Sequence, residues 1–165
     1  MNPVEAVFRR LTLGVYVVGV AAQGQADGFT AAWVMQASFD PLLLALSINR
    51  GHASYPLLQA GGSFVVNLLK HEQLDLASRF GTQSGRDRDK LAGVRWRPSR
   101  GGAPILEDAL GYFDCRLEGS MAAGDHDVVL GRVLDARLLD PKAVPLRYAE
   151  TGNLDGSSAL FPTEL

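Results

Sequence analysis

Apolar residues in this chain gather in short runs of strand length rather than in long helical stripes. Residues 13–22 (LGVYVVGVAA) are valine-rich, and β-branched side chains suit a pleated, half-buried surface. Residues 42–49 (LLLALSIN) and 63–69 (SFVVNLL) are continuous apolar runs of buried-strand length. Residues 112–119 alternate, with Phe113, Cys115 and Leu117 on one face and Asp114, Arg116 and Glu118 on the other. Residues 128–139 form a long β-rich run, 94–98 alternate briefly, and 145–148 suit a last short strand. Residues 28–39 (GFTAAWVMQASF) are small and apolar without a clear period, and Asp40-Pro41 breaks them.

Helical signals are fewer. Asn2 is a cap, Pro3 fits the first helical position and Glu5 can close a capping box. Residues 52–60 read as a short helix with Ser54 as its cap, stopped by Gly61-Gly62. Residues 71–81 are amphipathic, and 84–93 suit one helical turn. The segment QGQADG, 23–28, reads as a turn ending in Asp-Gly. Strands dominate and helices do not alternate with them, which disfavours a doubly wound α/β fold and suggests a closed or partly closed barrel. The 165 residues make one domain: residues 1–150 carry it, and 151–165 read as a polar, mobile C-terminal tail.

Composition narrows the function. Hydrophobic residues are 47% and charged residues 21%, as in a soluble globular protein. A net charge of −2 argues against nucleic-acid binding. A single cysteine and three scattered histidines disfavour a disulfide or a structural metal. No apolar run is long enough to span a membrane and no signal core is visible, so a cytoplasmic location is expected. Neither a GxGxxG nor a GxxxxGK[ST] pattern occurs. The charge is uneven: residues 86–100 hold six basic and two acidic residues, a local +4. Such an island suits a phosphate-bearing ligand, or is a solvated loop of internal Arg–Asp pairs.

Three segments join polar and small residues to apolar strands. In 28–39, Thr30 offers a hydroxyl while Ala31 and Ala32 leave the backbone open to a flat ligand; a buried strand with a satisfied threonine is the plainer alternative. In SINRGHAS, Ser47, Asn49, Arg50, His52 and Ser54 crowd before a helix, as a phosphate site needs and as an ordinary capped turn also would. His126, between Asp125 and Asp127, suits a hydrogen-bond donor to a substrate or a plain turn residue. Cys115, Trp33 and Trp96 suit the core.

The ordered set GFTA-x-W-x-x-Q-x-SFDP, SIN, FVVNLL, LASRFG, SGRDRDKLAG, PIL-x-x-AL and GDHDVVLGRV resembles the flavin reductase-like, FMN-binding split-barrel family across residues 8–148. The resemblance implies a mainly β fold, a six-stranded antiparallel Greek-key split barrel with a few inserted helices, assembled as a homodimer. It implies FMN, with FAD as the less favoured alternative, against Thr30, Ala31, Ala32, Trp33 and Val34. Its phosphate and ribityl chain would meet Ser47, Asn49, Arg50 and Ser54, and Phe80, Arg86 and Lys90 would complete the site. His126 would lie near the nicotinamide of NADH or NADPH. The implied activity is hydride transfer from nicotinamide to flavin N5, with reduced flavin passing to a two-component monooxygenase. The alternative is a non-enzymatic FMN-binding electron carrier. Two departures stand out: only Pro41 follows SFD where the family often has two prolines, and LRYAETGN has Asn153 where an aromatic often sits.

Overall fold

The computed structural model describes residues 2–83 and 88–165. Asn2 caps the first helix as its position predicts, its Oδ1 accepting the Val4 N–H at 2.8 Å, and α1 runs Pro3–Phe8. Glu5 does not close a capping box. Its buried carboxylate instead takes Arg9 Nε at 2.6 Å and the Ser158 hydroxyl.

Strand β1, Tyr16–Ala22, turns directly into β2, Gln25–Ala31. The turn is only Gln23-Gly24, both at positive φ (52° and 77°), the twist that a two-residue hairpin requires. Asp27-Gly28 therefore lies within β2 and is not the predicted turn. Then follow β3 (Val34–Phe39), β4 (Leu42–Asn49), α2 (Tyr55–Gly61), β5 (Ser63–Leu68) and α3 (Leu74–Thr82). A ribbon of β6 (Trp96–Pro98) and β7 (Pro104–Leu106) leads to the long hairpin β8 (Gly111–Ala123) and β9 (His126–Leu138). The 145–148 segment contributes only isolated bridges, Lys70 to Pro145 and Gly14 to Arg147.

The fold is mainly β, antiparallel and sparing in helix, as expected. Among the described residues, however, its main sheet has seven strands in the order β2-β1-β5-β8-β9-β4-β3, and β6-β7 stands apart. The ladders do not close into the implied six-stranded barrel, because β2 and β3 are both edges. These edges are consecutive in the chain, joined through Ala32 and Trp33 alone. A flat seven-stranded sheet would hold them about 29 Å apart at ~4.8 Å per strand. Three residue steps reach at most ~11 Å. The sheet must therefore roll up, leaving a seam at residues 31–34. A bond from Ser47 N–H to the Trp33 carbonyl, 3.0 Å, holds this link against β4.

Rolling encloses a core of Val18, Val20, Leu46, Leu58, Phe64 and Cys115. A second cluster, with Val15, Val17, Leu69, Phe80 and Leu106, packs α3 against the outside of β1 and β2. Residues 151–165 are tied to the body. Asn2 Nδ2 donates to the Pro162 carbonyl at 2.6 Å, Arg9 to the Gly152 carbonyl at 2.8 Å, and Phe8 meets Phe161 at 5.6 Å between ring centres. No described helix is long and apolar enough to cross a membrane.

Candidate functional site

A cleft of about 480 Å³ opens where β2 runs into the seam, β4 ends and β9 begins, a volume typical of small-molecule sites. The ladders bring these ends together, since Asn49 is register partner of His126. On an edge strand every second residue turns its main-chain amide away from the ladder, and β2 is such an edge. Ala31 and Ala32 add no bulk beyond Cβ there. Thr30 donates its hydroxyl to the Ala77 carbonyl at 2.7 Å, fixing β2 to α3. Phe29, Trp33 and Ile48 supply apolar wall.

Ser47 and Asn49 line the opposite side, with Asn49 Oδ1 accepting the Gly51 N–H at 2.8 Å. His52 lies against Phe29, 4.7 Å between ring centres, and its Nδ1 accepts the Ser54 N–H. His126 closes the lip. Its ring stands 4.8 Å from that of Trp33, and its Nδ1 is 2.7 Å from Asp125 Oδ1. This bond holds the Asp125 carboxyl below the usual carboxylate range. Beside it, Asp127 is likewise lowered by hydrogen bonds from Tyr55 and Arg50, while the Tyr55 hydroxyl is pushed up by the same contact.

Thr30, Ala31, Ala32, Trp33, Ser47, Asn49 and His126 thus share one cleft. The other expected site residues stand elsewhere. Val34 begins β3 and packs against the first core cluster. Phe80 is a buried member of the second. Ser54 occupies the N-cap position of α2 as expected, but its buried hydroxyl makes no capping bond and donates instead to Asp27 Oδ2 at 2.9 Å. Lys90, also buried, reaches Asp27 Oδ1 at 3.3 Å. Asp27 and Lys90 line a separate cavity of about 900 Å³ together with Pro56, Leu57 and Trp96. A buried charge survives only when paired, so Asp27 draws Ser54 and Lys90 to itself. Arg50 bonds the β8–β9 turn. Arg86 lies outside the described residues. Within the basic island Arg95 is paired with Glu107 and Asp108, and Arg97 stands over the Tyr112 ring.

Sequence reasoning missed the fourth wall: Tyr148, Asp155, Ser157 and Leu160. The Tyr148 hydroxyl donates to Asp155 Oδ2 at 2.8 Å and lies 2.9 Å from Ser157 Oγ. Burial works against the Asp155 carboxylate, yet the Ser157 and Tyr148 hydrogen bonds hold it below its ordinary range. The only local signal was the aromatic of LRYAETGN. Among the described residues no cluster of three or more His, Cys, Asp or Glu could hold a metal.

The fold is a mainly β, antiparallel sheet whose two edge strands are joined by a two-residue link, with the cleft beside that link. The sequence matches the flavin reductase like domain over residues 8–155, and the chain belongs to that family. It is 37% identical over 141 residues to a high molecular weight rubredoxin of Moorella thermoacetica, covering 84% of this chain and 61% of that protein's length. An FMN reductase (NADH) of Methylorubrum extorquens is 39% identical over 141 residues, covering 86% of this chain and 69% of the relative. Among solved structures, nitrilotriacetate monooxygenase component B from Mycobacterium thermoresistibile superposes with a TM-score of 0.77 at 30% identity, covering 87% of this chain and 82% of the other.

Proposed function

We propose that this chain is an NAD(P)H-dependent flavin reductase that seats FMN in the seam cleft. One observation carries the reading: three segments distant in sequence, 29–33, 47–52 and 126, converge on a single cleft with small-residue backbone on one side and polar side chains on the other. The residues present suit a flat, partly polar ring system carrying a phosphate. Ala31 and Ala32 admit close approach of the ring edge to main-chain amides, which favour negative charge there. Ser47 and Asn49 offer hydrogen-bonding partners to a polyol or phosphate. The flavin, when bound, supplies the hydride-accepting chemistry. The protein orients and shields. Asp125 engages His126 Nδ1, which leaves Nε2 to meet a nicotinamide carboxamide, and Trp33 covers the imidazole.

FMN, rather than FAD, follows the naming of the Methylorubrum relative. The monooxygenase component among the solved structures supports a partner that takes up reduced flavin. We also assign a homodimer. The row Met35, Ala45, Leu130 lies side by side across β3, β4 and β9, with Met35 64% exposed, and a second copy would cover it. A sedimentation mass of one chain for the flavin-loaded protein overturns that assignment.

Absorbance spectroscopy tests the activity. Purified protein is loaded with FMN, freed of excess, and mixed without oxygen with NADH and NADPH separately. Rapid bleaching by either supports the reductase and names the donor. A bound flavin that dithionite bleaches but neither nucleotide reduces overturns it in favour of an electron carrier.

A further inference from the structure

Arg50 directly follows β4, where the family resemblance implies a phosphate contact, yet its guanidinium is directed at the end of the β8–β9 hairpin. Nη1 donates to the His126 carbonyl and to Asp127 Oδ1, each at 2.8 Å, and Nη2 donates to the Gly124 carbonyl. The Tyr55 hydroxyl donates to the other Asp127 oxygen. Arg50, in the segment after β4, thus holds one Asp127 oxygen and the Gly124 and His126 carbonyls, while Tyr55, the first residue of α2, holds the other Asp127 oxygen. The turn that ends the hairpin is two residues long, with Gly124 at φ 66°, and His126 is the first residue beyond it.

We infer that Arg50 is a positioning residue for His126, acting through the main chain of residues 124–127, and is not an anion ligand. The inference rests on the reading of the cleft given above. A planar guanidinium fork reaches several oxygens at fixed angles, whereas a lysine ammonium is a point charge on a flexible stem. An exposed charge pair alone would carry little energy. The role here is geometric: the fork fixes where the hairpin end lies relative to β4, and therefore where the imidazole stands relative to Trp33.

The test uses Arg50→Ala, Arg50→Lys and His126→Ala, singly and with Arg50→Ala combined with His126→Ala, in the full chain. Three readouts are taken: FMN affinity by fluorescence quenching, the His126 ring-proton NMR signals assigned by their loss in His126→Ala, and the nicotinamide KM and kcat. Arg50→Ala is expected to shift the His126 signals, to raise KM about fivefold to tenfold, a cost near 1–1.4 kcal/mol, and to leave FMN affinity within about twofold. Lysine does not restore the wild-type signals, and Arg50→Ala adds nothing once His126 is gone, as coupled sites require. FMN affinity falling tenfold or more with the His126 signals unmoved overturns the inference, as do additive effects in the double variant. If the wild-type protein neither binds FMN nor oxidises a nicotinamide nucleotide, the functional proposal fails by itself. The NMR comparison of flavin-free proteins still decides the role of Arg50.

Discussion

The indole of Trp33 and the imidazole of His126 meet with ring centres 4.8 Å apart and planes tilted by 44°. One belongs to the two-residue link between the sheet's edges, the other to the start of β9. Their contact spans the mouth of the cleft, and the two side chains face one site from different directions.

Replacing His126 with alanine is expected to raise the nicotinamide KM about tenfold, near 1.4 kcal/mol, with FMN affinity little changed. Trp33→Ala is expected to do the reverse, weakening FMN several-fold through loss of an aromatic contact worth ~0.5–1.5 kcal/mol. Steady-state kinetics and flavin titration separate the two, and a swapped pattern would exchange their roles.

Lys90→Ala leaves Asp27 buried with only the Ser54 hydroxyl as its described partner. Breaking a buried pair from one side costs ~3–5 kcal/mol. Urea unfolding should show that loss, while Asp27→Asn combined with Lys90→Met recovers most of it. A Lys90→Ala protein as stable as wild type would mean that the pair contributes nothing.

Glu150 accepts the Arg147 main-chain N–H and guanidinium, each at 2.9 Å, and lies 3.4 Å from His71. The Arg147 side chain leads in pulling its carboxyl down to about 2. Because the folded value lies below the unfolded one, its contribution is complete above about pH 4.5 and lost as pH falls toward 2. The difference in unfolding midpoint between wild type and Glu150→Gln should therefore shrink across that window. A difference constant down to pH 2 would contradict the assignment.

Burial, with Asp114 nearby, pushes the Cys115 thiol up to about 12. A thiol reagent at pH 8 should leave native protein unmodified and react once urea unfolds it. The unfolded thiol ionises near 8.5–9 while the folded one stays neutral, so this stabilisation is complete below that range and lost as pH rises toward 12. Fast labelling of the native protein would show that the core around Cys115 is open.

Strands β1, β4, β5, β8 and β9 were legible because their apolar runs or alternation are local signals, and the Asn2 cap was legible for the same reason. Three features were not. Asp27-Gly28 carries the signature of a turn, and only the distant Lys90 and Ser54 make an acid tolerable inside β2. Ser54 is well placed for a cap by spacing, but Asp27 is the partner it takes. Residues 151–165 look like a loose end because their partners, Asn2, Glu5 and Arg9, sit at the other end of the chain. The cleft divides along the same line. Thr30 to Trp33 and His126 are marked by residue type at strand ends, whereas Asp155, Ser157 and Leu160 join it only through that long-range closure.

The two margins of the sheet are neighbours in the chain but share no ladder among the described residues. On the proposed reading, filling the site also braces the junction between β2 and the link to β3. Amide exchange along β2 and β3, which each lack a strand on one side, should slow together when flavin is loaded. The margins left bare in the empty protein would be its weakest defence against adding a stray strand from another chain.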